Sequence, residues 1–274
     1  MADKLSDIAP DDVDLRTDVP HPARVYDYML GGTANFAADR AAAANLERRV
    51  PHAATSMRAN RKFMLRVVRR LAAEYGIRQF LDIGAGLPTS PNLHEVVQSV
   101  APESRVVYVD NDPLVLLQAR TLLSGDSAGR IAFIDADLRE PEAILAGPRL
   151  RDTLDLDRPV ALTLIAVLQF IQDDKQVRDI IGRLLEPLVS GSVLALSAIA
   201  LDGSAAVVSG AVDSYRSDGM PIKARTSDEL ARFFDGLDLI DPGVVRVNRW
   251  HPDEDAAAVP DDHVYMFGGA AIKP

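Results

Sequence analysis

Short apolar runs alternate with longer amphipathic stretches along much of the chain. The runs predict strands at 78–82, 105–110, 131–135, 160–166 and 192–199. The amphipathic stretches predict helices near 91–101, 112–124, 139–146, 173–188 and 226–235. Two later runs, at about 237–248 and 263–272, predict a closing antiparallel pair. Alternation of this kind is typical of a parallel, doubly wound α/β sheet.

Three helices are predicted before the first strand. The first spans 23–30 and ends at Gly31-Gly32. The second begins at a cap, Asn35, and continues to Arg49, while the third covers about 56–75 with one buried apolar stripe. The acidic segment 1–20 is expected to be a loosely held arm.

Consecutive predicted strands end in acids beside a glycine-rich turn. Asp82 closes the first strand, Gly84 and Gly86 follow it, and Asp110 closes the second strand. The carboxyl ends of neighbouring parallel strands meet at one edge of a sheet, so this plan is typical of α/β proteins that hold adenosine there.

The glycine turn lacks the features of a phosphate-binding turn. Thr89 stands where a dinucleotide fold requires its third glycine, and no lysine follows the glycines. S-adenosylmethionine has an adenosine and an amino acid but no phosphate, and it therefore fits better. The two oxygens of Asp110 can accept both ribose hydroxyl protons.

The third strand supplies candidate partners for the adenine. Asp137 can accept a hydrogen bond from the adenine amino group, with Leu138 against the ring. Asp82 can meet the ammonium of the ligand directly or through water. Taken singly, each of these acids is more often a turn or helix-cap residue.

Longer blocks of sequence resemble one family over nearly the whole chain. The turn resembles that of class I S-adenosylmethionine-dependent methyltransferases, and the blocks resemble an actinobacterial S-adenosyl methyltransferase family formerly known as a domain of unknown function. The blocks are His-Pro-Ala-Arg-Val-Tyr-Asp-Tyr-Met-Leu-Gly-Gly at 21–32, Gln-Phe-Leu-Asp-Ile-Gly-Ala-Gly-Leu-Pro at 79–88, Val-Val-Tyr-Val-Asp-Asn-Asp-Pro at 106–113 and Tyr-Met-Phe-Gly-Gly-Ala-Ala-Ile-Lys-Pro at 265–274. The resemblance implies a Rossmann-like sheet of seven mostly parallel strands with an antiparallel closing strand, and it implies S-adenosylmethionine as cofactor.

Two residues depart from that pattern. Pro88 replaces a common methyltransferase glycine and removes a backbone N–H. Gln169 stands where related sequences often have histidine, and an amide cannot act as a general base. Alignment of nucleophile, methyl and sulfur in a dry site can still supply much of the acceleration.

The N-terminal helices have two possible roles. We expect residues 1–76 to form the arm and a helical lid or extension, and residues 77–274 to form one compact Rossmann-like domain. The helices can cross the carboxyl edge of the sheet and cover the ligand. They can equally form a helical hairpin that packs against the sheet.

The predicted site has a cofactor part and an acceptor part. Arg58, or Arg61 one helical turn later, is a candidate partner for the carboxylate of the cofactor. The full cofactor set is Asp82, Gly84, Ala85, Gly86, Asp110, Asn111, Asp137, Leu138, Ala166 and Arg58. The acceptor candidates are Tyr28, Asn35, Gln169, Phe170 and Tyr215.

Composition narrows the class of partner. A formal net charge of −10 disfavours nucleic acid, which binds proteins through phosphate neutralisation. Cysteine is absent and the five histidines are scattered, so neither a thiolate site nor a catalytic metal is expected. No apolar run reaches the ~18 residues of a membrane span, and a cytoplasmic location is expected.

The sequence thus favours an S-adenosylmethionine-dependent methyltransferase that acts on a small molecule. One alternative is a protein that binds S-adenosylmethionine or S-adenosylhomocysteine as a sensor, because Gln169 leaves no evident base. A second alternative, an NAD-dependent dehydrogenase, rests on fold analogy alone and predicts affinity for NADH.

Overall fold

A computed structural model describes residues 14–122, 129–202 and 205–274. Most of the predicted N-terminal arm and the end of the predicted helix 112–124 lie outside these ranges. The acceptor and cofactor candidates all lie within them. Among the described helices, none has both the length and the apolar character that crossing a membrane requires.

A mixed sheet organises the fold. Its spatial order is β3-β2-β1-β4-β5-β8-β6, with β7 also paired to β8. The strands β1 to β5 pair in parallel, whereas β6, β7 and β5 pair with β8 in antiparallel fashion. The strands are β1 Gln79–Ile83, β2 Arg105–Asp110, β3 Ile131–Asp135, β4 Ala161–Ile165, β5 Val193–Ile199, β6 Asp238–Leu239, β7 Val245–Arg246 and β8 Met266–Ile272.

Helices cover both faces of the sheet. They are α1 Pro22–Leu30, α2 Ala37–Arg49, α3 Ala53–Ala73, α4 Leu93–Val100, α5 Pro113–Leu122, α6 Pro141–Ala146, α7 Pro148–Thr153, α8 Asp174–Leu185, α9 Ala205–Ser217, α10 Ser227–Ala231 and α11 Glu254–Ala257. Short 3₁₀ turns occupy Leu168–Phe170, Arg232–Phe234 and Asp261–His263. Side chains alternate across β1, so Phe80 joins the core under α3 and α4, whereas Leu81 joins the core under α8.

The doubly wound prediction is confirmed, with differences near the carboxyl end. The sheet has eight strands, because the run predicted at 237–248 is broken by Pro242-Gly243 into the short strands β6 and β7. Helix α9 follows β5 in a stretch for which no helix was predicted. Strands β6 and β7 both pair with β8. Helix α9 contributes Tyr215 to the lining of the cavity at the carboxyl edge of the sheet.

The predicted cap of the second helix is wrong. Phe36, not Asn35, precedes the first helical residue, and the backbone N–H of Phe36 donates to Asp39 Oδ2 over 2.8 Å. The other oxygen of Asp39 accepts the backbone N–H of His21 over 2.8 Å. Asn35 instead donates from Nδ2 to Asp27, and its Oδ1 accepts from Arg40 Nη1 and not from a helix N–H.

A buried ion pair fastens α1 to the loop after β2. Arg24 donates from Nε to Asp112 Oδ2 over 2.9 Å and from Nη2 to Asp112 Oδ1 over 2.6 Å. Asp112 is fully buried and Arg24 is 2% exposed. Burial alone would raise the pKa of the Asp112 carboxyl, but hydrogen bonds from His21 and Arg24 outweigh burial and hold that pKa below its ordinary range.

We predict that Arg24→Met loosens α1. Removing one partner leaves a buried carboxylate without its bidentate donor, which costs about 3 kcal/mol of unfolding free energy. Urea denaturation measures the cost, and hydrogen exchange over Pro22–Leu30 shows where the structure opens. Arg58→Met is the matched control on an exposed arginine, with an expected change within about 0.5 kcal/mol. Equal effects of the two substitutions would contradict this role of the ion pair.

Candidate active site

A cavity of about 430 Å³ opens at the carboxyl edge of the parallel strands. The loops after β1, β2, β3 and β4 form its floor, and α1, α3 and α9 contribute walls. Its volume lies within the usual range for small-molecule sites. The site is therefore placed where an open α/β sheet reverses its strand order, between β1 and β4.

The glycine turn directs its backbone donors toward β2. Gly84 and Gly86 have φ of +72° and +68°, a region that disfavours other residues. The N–H groups of Gly84 and Ala85 donate to the carbonyl of Val109 over 2.8 and 3.2 Å. Because these donors are used within the protein, the turn offers them to no phosphate.

Asp110 lies beneath the glycine turn and faces the cavity. Its Oδ2 accepts the Gly86 N–H over 2.8 Å, and its Oδ1 accepts the Asp112 N–H over 2.9 Å. Burial raises the pKa of Asp110, although these two backbone donors oppose the rise. Each oxygen keeps a second lone pair, so the carboxylate can still accept ligand hydroxyl groups.

Asp82 is a buried acid at the end of β1. Burial raises its pKa to about 6, even though Thr163 Oγ1 donates to its Oδ1 over 2.5 Å. Thr163 is on the neighbouring strand β4 and is fully buried. A cation placed beside Asp82 would favour the ionised form of the carboxylate. Because water solvates this buried carboxylate poorly, the cation would interact with it strongly.

The loop after β3 forms the outer end of the cavity. Asp137 Oδ2 accepts from Asn111 Nδ2 over 3.0 Å and from Arg139 Nη1 over 2.8 Å. Leu138 is buried and lines the same wall. The structure thus brings the predicted adenine partners together with Asp110 in one cavity.

The end of β4 connects the two halves of the cavity. Ala166 has a φ of +55°, which is uncommon for a residue with a Cβ, and its N–H donates to the carbonyl of Ser197 over 2.9 Å. A Cβ on Gly84 would lie 2.6 Å from a methyl group of Val167. Glycine at this position therefore allows the β1 turn to pack directly against the β4 loop.

Gln169, Phe170 and Tyr215 lie together at the inner end. The Phe170 and Tyr215 rings meet edge to face with centroids 6.1 Å apart. Gln169 lines the cavity and is 9% exposed, and its Oε1 has no hydrogen-bond partner among the described residues. An unsatisfied buried amide is costly, so this side chain is suited to a ligand that completes its hydrogen bonds.

Helix α1 crosses the cavity, but only some of its predicted residues face it. Tyr26, Asp27 and Leu30 line the cavity. Tyr28 is 37% exposed and lies outside the lining, so the structure does not support it as an acceptor residue. Asn35 also lies outside, where its amide donates to Asp27 Oδ2 over 2.8 Å and supports that carboxylate.

Arg61, rather than Arg58, faces the cavity. Arg58 is exposed and does not line it, because the helical phase of α3 turns that position outward. Arg61 lines the cavity and donates from Nη2 to the carbonyls of Thr89 and Pro91, over 2.5 and 2.8 Å. The guanidinium thus braces the loop that follows the glycine turn.

Several residues of the site were not identified from the sequence. Thr163 and Asp112 act through partners that are distant in the chain, and Asp27 resembles an ordinary helix residue. The lining also includes Met57, Met64, Met220 and Met266. Trp250 does not line the cavity and is fully buried in the core against Phe63.

The chemistry of the lining fits S-adenosylmethionine. Carboxylates match ribose hydroxyl groups and an ammonium, a guanidinium matches a carboxylate, and apolar side chains match adenine. Lysine is missing from the lining within the described part of the chain, as is the free backbone N–H cluster that a pyrophosphate requires.

Known proteins support this assignment. Residues 8–274 match the family model described as S-adenosyl methyltransferase. A DUF574 family protein from Streptomyces avermitilis is 49% identical, with a TM-score of 0.93 over 95% of this chain and 100% of its own. A candidate methyltransferase from Thermobifida fusca is 39% identical, with a TM-score of 0.88 over 97% of this chain and 99% of its own. No curated protein matches the sequence.

More distant structures share the fold alone. The plantazolicin methyltransferase BpumL is 12% identical, with a TM-score of 0.53 over 92% of this chain and 95% of its own. The sheet, the cofactor chemistry and the match over nearly the whole sequence agree. The chain belongs to the S-adenosyl methyltransferase family and is an S-adenosylmethionine-dependent methyltransferase with the Rossmann-like class I fold.

Proposed function

We propose that the cavity holds S-adenosylmethionine along the ends of β1, β2 and β3 and a small-molecule acceptor at its Gln169 end. One observation carries this proposal: three strand-end carboxylates and an unsatisfied amide line one continuous cavity. The acids provide a polar end for a nucleoside and an amino acid. The Gln169 end, where the Phe170 and Tyr215 rings meet, provides the place for an acceptor.

Each strand end has a proposed task. Asp110 accepts the ribose hydroxyl groups, since its Gly86 and Asp112 contacts leave lone pairs free. Asp137 accepts from the adenine amino group, and Leu138 packs against the ring. Backbone around Gly84, Ala85, Gly86 and Ala166 approaches the ligand closely, and Asn111 completes the rim.

The amino-acid part of the cofactor is held by opposite charges. Asp82 meets the ammonium, and Arg61 uses its remaining N–H groups for the carboxylate in the role first given to Arg58. The positive charge of Arg61 partly opposes the rise in the pKa of Asp82 that burial causes. This electrostatic influence indicates that the two groups act on one region of the cavity. The ligand can therefore lie between them with its sulfur toward β4.

The protein supplies alignment rather than an evident base. When bound, S-adenosylmethionine supplies a methyl group on a positively charged sulfur. Residues at the end of β4 would position an acceptor lone pair in line with that methyl. The acceptor–methyl bond would then form as the methyl–sulfur bond breaks, with its electron pair left on sulfur and the proton of the acceptor atom released to water. Gln169 orients the acceptor but takes no proton.

Helices α1 and α2 form the proposed lid, whereas α3 shares the core of the sheet. Phe63 and Val67 of α3 lie in the same apolar cluster as Phe80 of β1. Helix α1 is fixed over the cavity through Arg24 and Asp112. The covered cavity and the net charge of −10 favour a small acceptor over nucleic acid. The proposed location of the protein is the cytoplasm.

We predict that Asp110→Ala weakens S-adenosylmethionine and S-adenosylhomocysteine about 100-fold, because two hydrogen bonds to a charged group are lost. Isothermal titration measures both ligands. Asp135→Asn is the matched control, since Asp135 pairs in register with Asp110 but does not line the cavity. Tight NADH binding without binding of either sulfur ligand would contradict the proposed cofactor roles.

Turnover separates an enzyme from a sensor. With labelled S-adenosylmethionine and a metabolite extract, wild-type protein is expected to transfer label to a small molecule. Asp110→Ala should lose that transfer and Asp135→Asn should retain it. Cofactor binding without transfer to any component of such extracts would instead favour the sensor function.

We predict that cofactor affinity rises with pH through the titration of Asp82. Its pKa is raised to about 6, so an ammonium ligand binds the ionised form and releases a proton at lower pH. Affinity should increase about tenfold between pH 5 and pH 7 and then level off.

The stability of the free protein should change with pH in the opposite direction. It falls as pH rises from about 4 to about 6, because the folded state holds the Asp82 proton more tightly than the unfolded state does.

The control for this pH effect is Asp82→Asn. It should bind the cofactor more weakly at pH 7 and show a flat affinity over the same interval. Its stability should also lack the decline between about pH 4 and pH 6 that Asp82 causes. An unchanged pH profile in this variant would exclude Asp82 as the ammonium partner.

A further inference from the structure

Polarisable, apolar side chains form part of the wall of the cavity. Four of the six methionines of the chain, Met57, Met64, Met220 and Met266, line the cavity although they come from separate segments of the chain. Methionine adapts to the shape of a ligand and its sulfur makes favourable contacts with aromatic rings. This wall favours a ligand body that is apolar and ring-shaped.

Aromatic side chains complete that compartment. Phe170 and Tyr215 meet edge to face, and Tyr215 is only 7% exposed. Tyr26 fixes the neighbouring wall, since its hydroxyl donates to the carbonyl of Met57 over 2.9 Å and accepts from Asn60 over 3.1 Å. Flat rings can stack or pack edge-on against this arrangement without requiring a charged group.

Among the described residues, Gln169 Oε1 is the only buried side-chain polar atom of the cavity lining that lacks a hydrogen-bond partner. The Gln169 backbone is held in place, because its carbonyl accepts the Lys223 N–H over 2.8 Å. A primary amide can both donate and accept, so a hydroxyl or an N–H group on the ligand is a suitable partner.

Charge in the cavity disfavours an anionic ligand. Asp27, Asp82, Asp110 and Asp137 all line it. The lining arginines already have partners: Arg61 donates from Nη2 to two backbone carbonyls and gives its remaining N–H groups to the cofactor carboxylate in the proposed function, and Arg139 pairs with Asp137. A carboxylate or phosphate on the acceptor would enter a cavity lined by four acids, with no lining arginine or lysine left to pair with it among the described residues.

Building on the proposed function, we propose that the methyl acceptor is a neutral small molecule with a flat, largely apolar ring body and a hydroxyl or N–H group that hydrogen-bonds to Gln169. Gln169 is then the specificity residue of the acceptor site. The methionines and Phe170 select the ring, and the amide selects the polar group and its orientation.

Three ring compounds test this proposal on protein saturated with S-adenosylhomocysteine. Naphthol carries a hydroxyl, naphthalene has no polar group, and naphthoate carries a negative charge. Isothermal titration should show naphthol binding about 5-fold more tightly than naphthalene, as expected for one net hydrogen bond, with naphthoate weakest. This ranking in the wild-type protein requires no substitution.

The variant Gln169→Met keeps the length of the side chain and removes its amide. It should bring the naphthol-to-naphthalene affinity ratio close to one while naphthalene binding is retained. Gln176→Met is the matched control on the exposed surface of α8, outside the cavity, and should keep the wild-type ratio.

The outcomes distinguish a failure of the proposed function from a failure of the acceptor assignment alone. Failure to bind S-adenosylhomocysteine would overturn the proposed function and this inference with it. Normal cofactor binding would leave the proposed function intact but overturn the acceptor class if no ring compound binds, if naphthoate binds best, or if naphthol and naphthalene bind equally. An unchanged ratio in Gln169→Met would overturn the assignment of Gln169.

Discussion

The buried pair between Arg24 and Asp112 is the constraint on which the site depends. It closes a chain of contacts from α1 to Asp112, from the Asp112 N–H to Asp110, and from Asp110 to the Gly86 N–H. One charged side chain of α1 therefore fixes the loop that carries the proposed ribose acceptor. Because both partners are buried, this coupling is only weakly screened by salt. The position of α1 over the cavity and the orientation of Asp110 are thus parts of the same arrangement.

A second constraint connects the cofactor end with the acceptor end. Gly84 allows the β1 turn to pack against Val167, and Ala166 bends the chain in the left-handed region just after β4. Unfavourable backbone conformations persist where the surroundings enforce them, and they cluster at functional sites. Here the bend brings Gln169 to the cavity that also contains Asp82. Packing at the strand ends thereby sets the relation between the two proposed ligands, as alignment-based methyl transfer requires.

Much of the fold was predictable from the sequence, and so was the convergence of the candidate cofactor residues, because both follow from local patterns. Strand ends place Asp82, Asp110 and Asp137 at one edge whatever the details of the helices. The choice between Arg58 and Arg61 depended on the rotation of α3 about its axis, which helical spacing alone does not give. The role of Asp112 depends on an arginine 88 positions earlier in the chain.

The acceptor half was the harder part to predict. The missing partner of Gln169 is visible only after all neighbouring donors and acceptors are placed, and the four methionines converge only through tertiary packing. The central claim is that one cavity holds the cofactor along the strand ends and presents its sulfur to Gln169. A crystal structure with S-adenosylhomocysteine tests it most directly. The account predicts the ribose on Asp110, the adenine beside Leu138, the amino group on Asp82 and the sulfur facing the Gln169 compartment; a ligand bound elsewhere, or reversed with its adenine at Gln169, would contradict it.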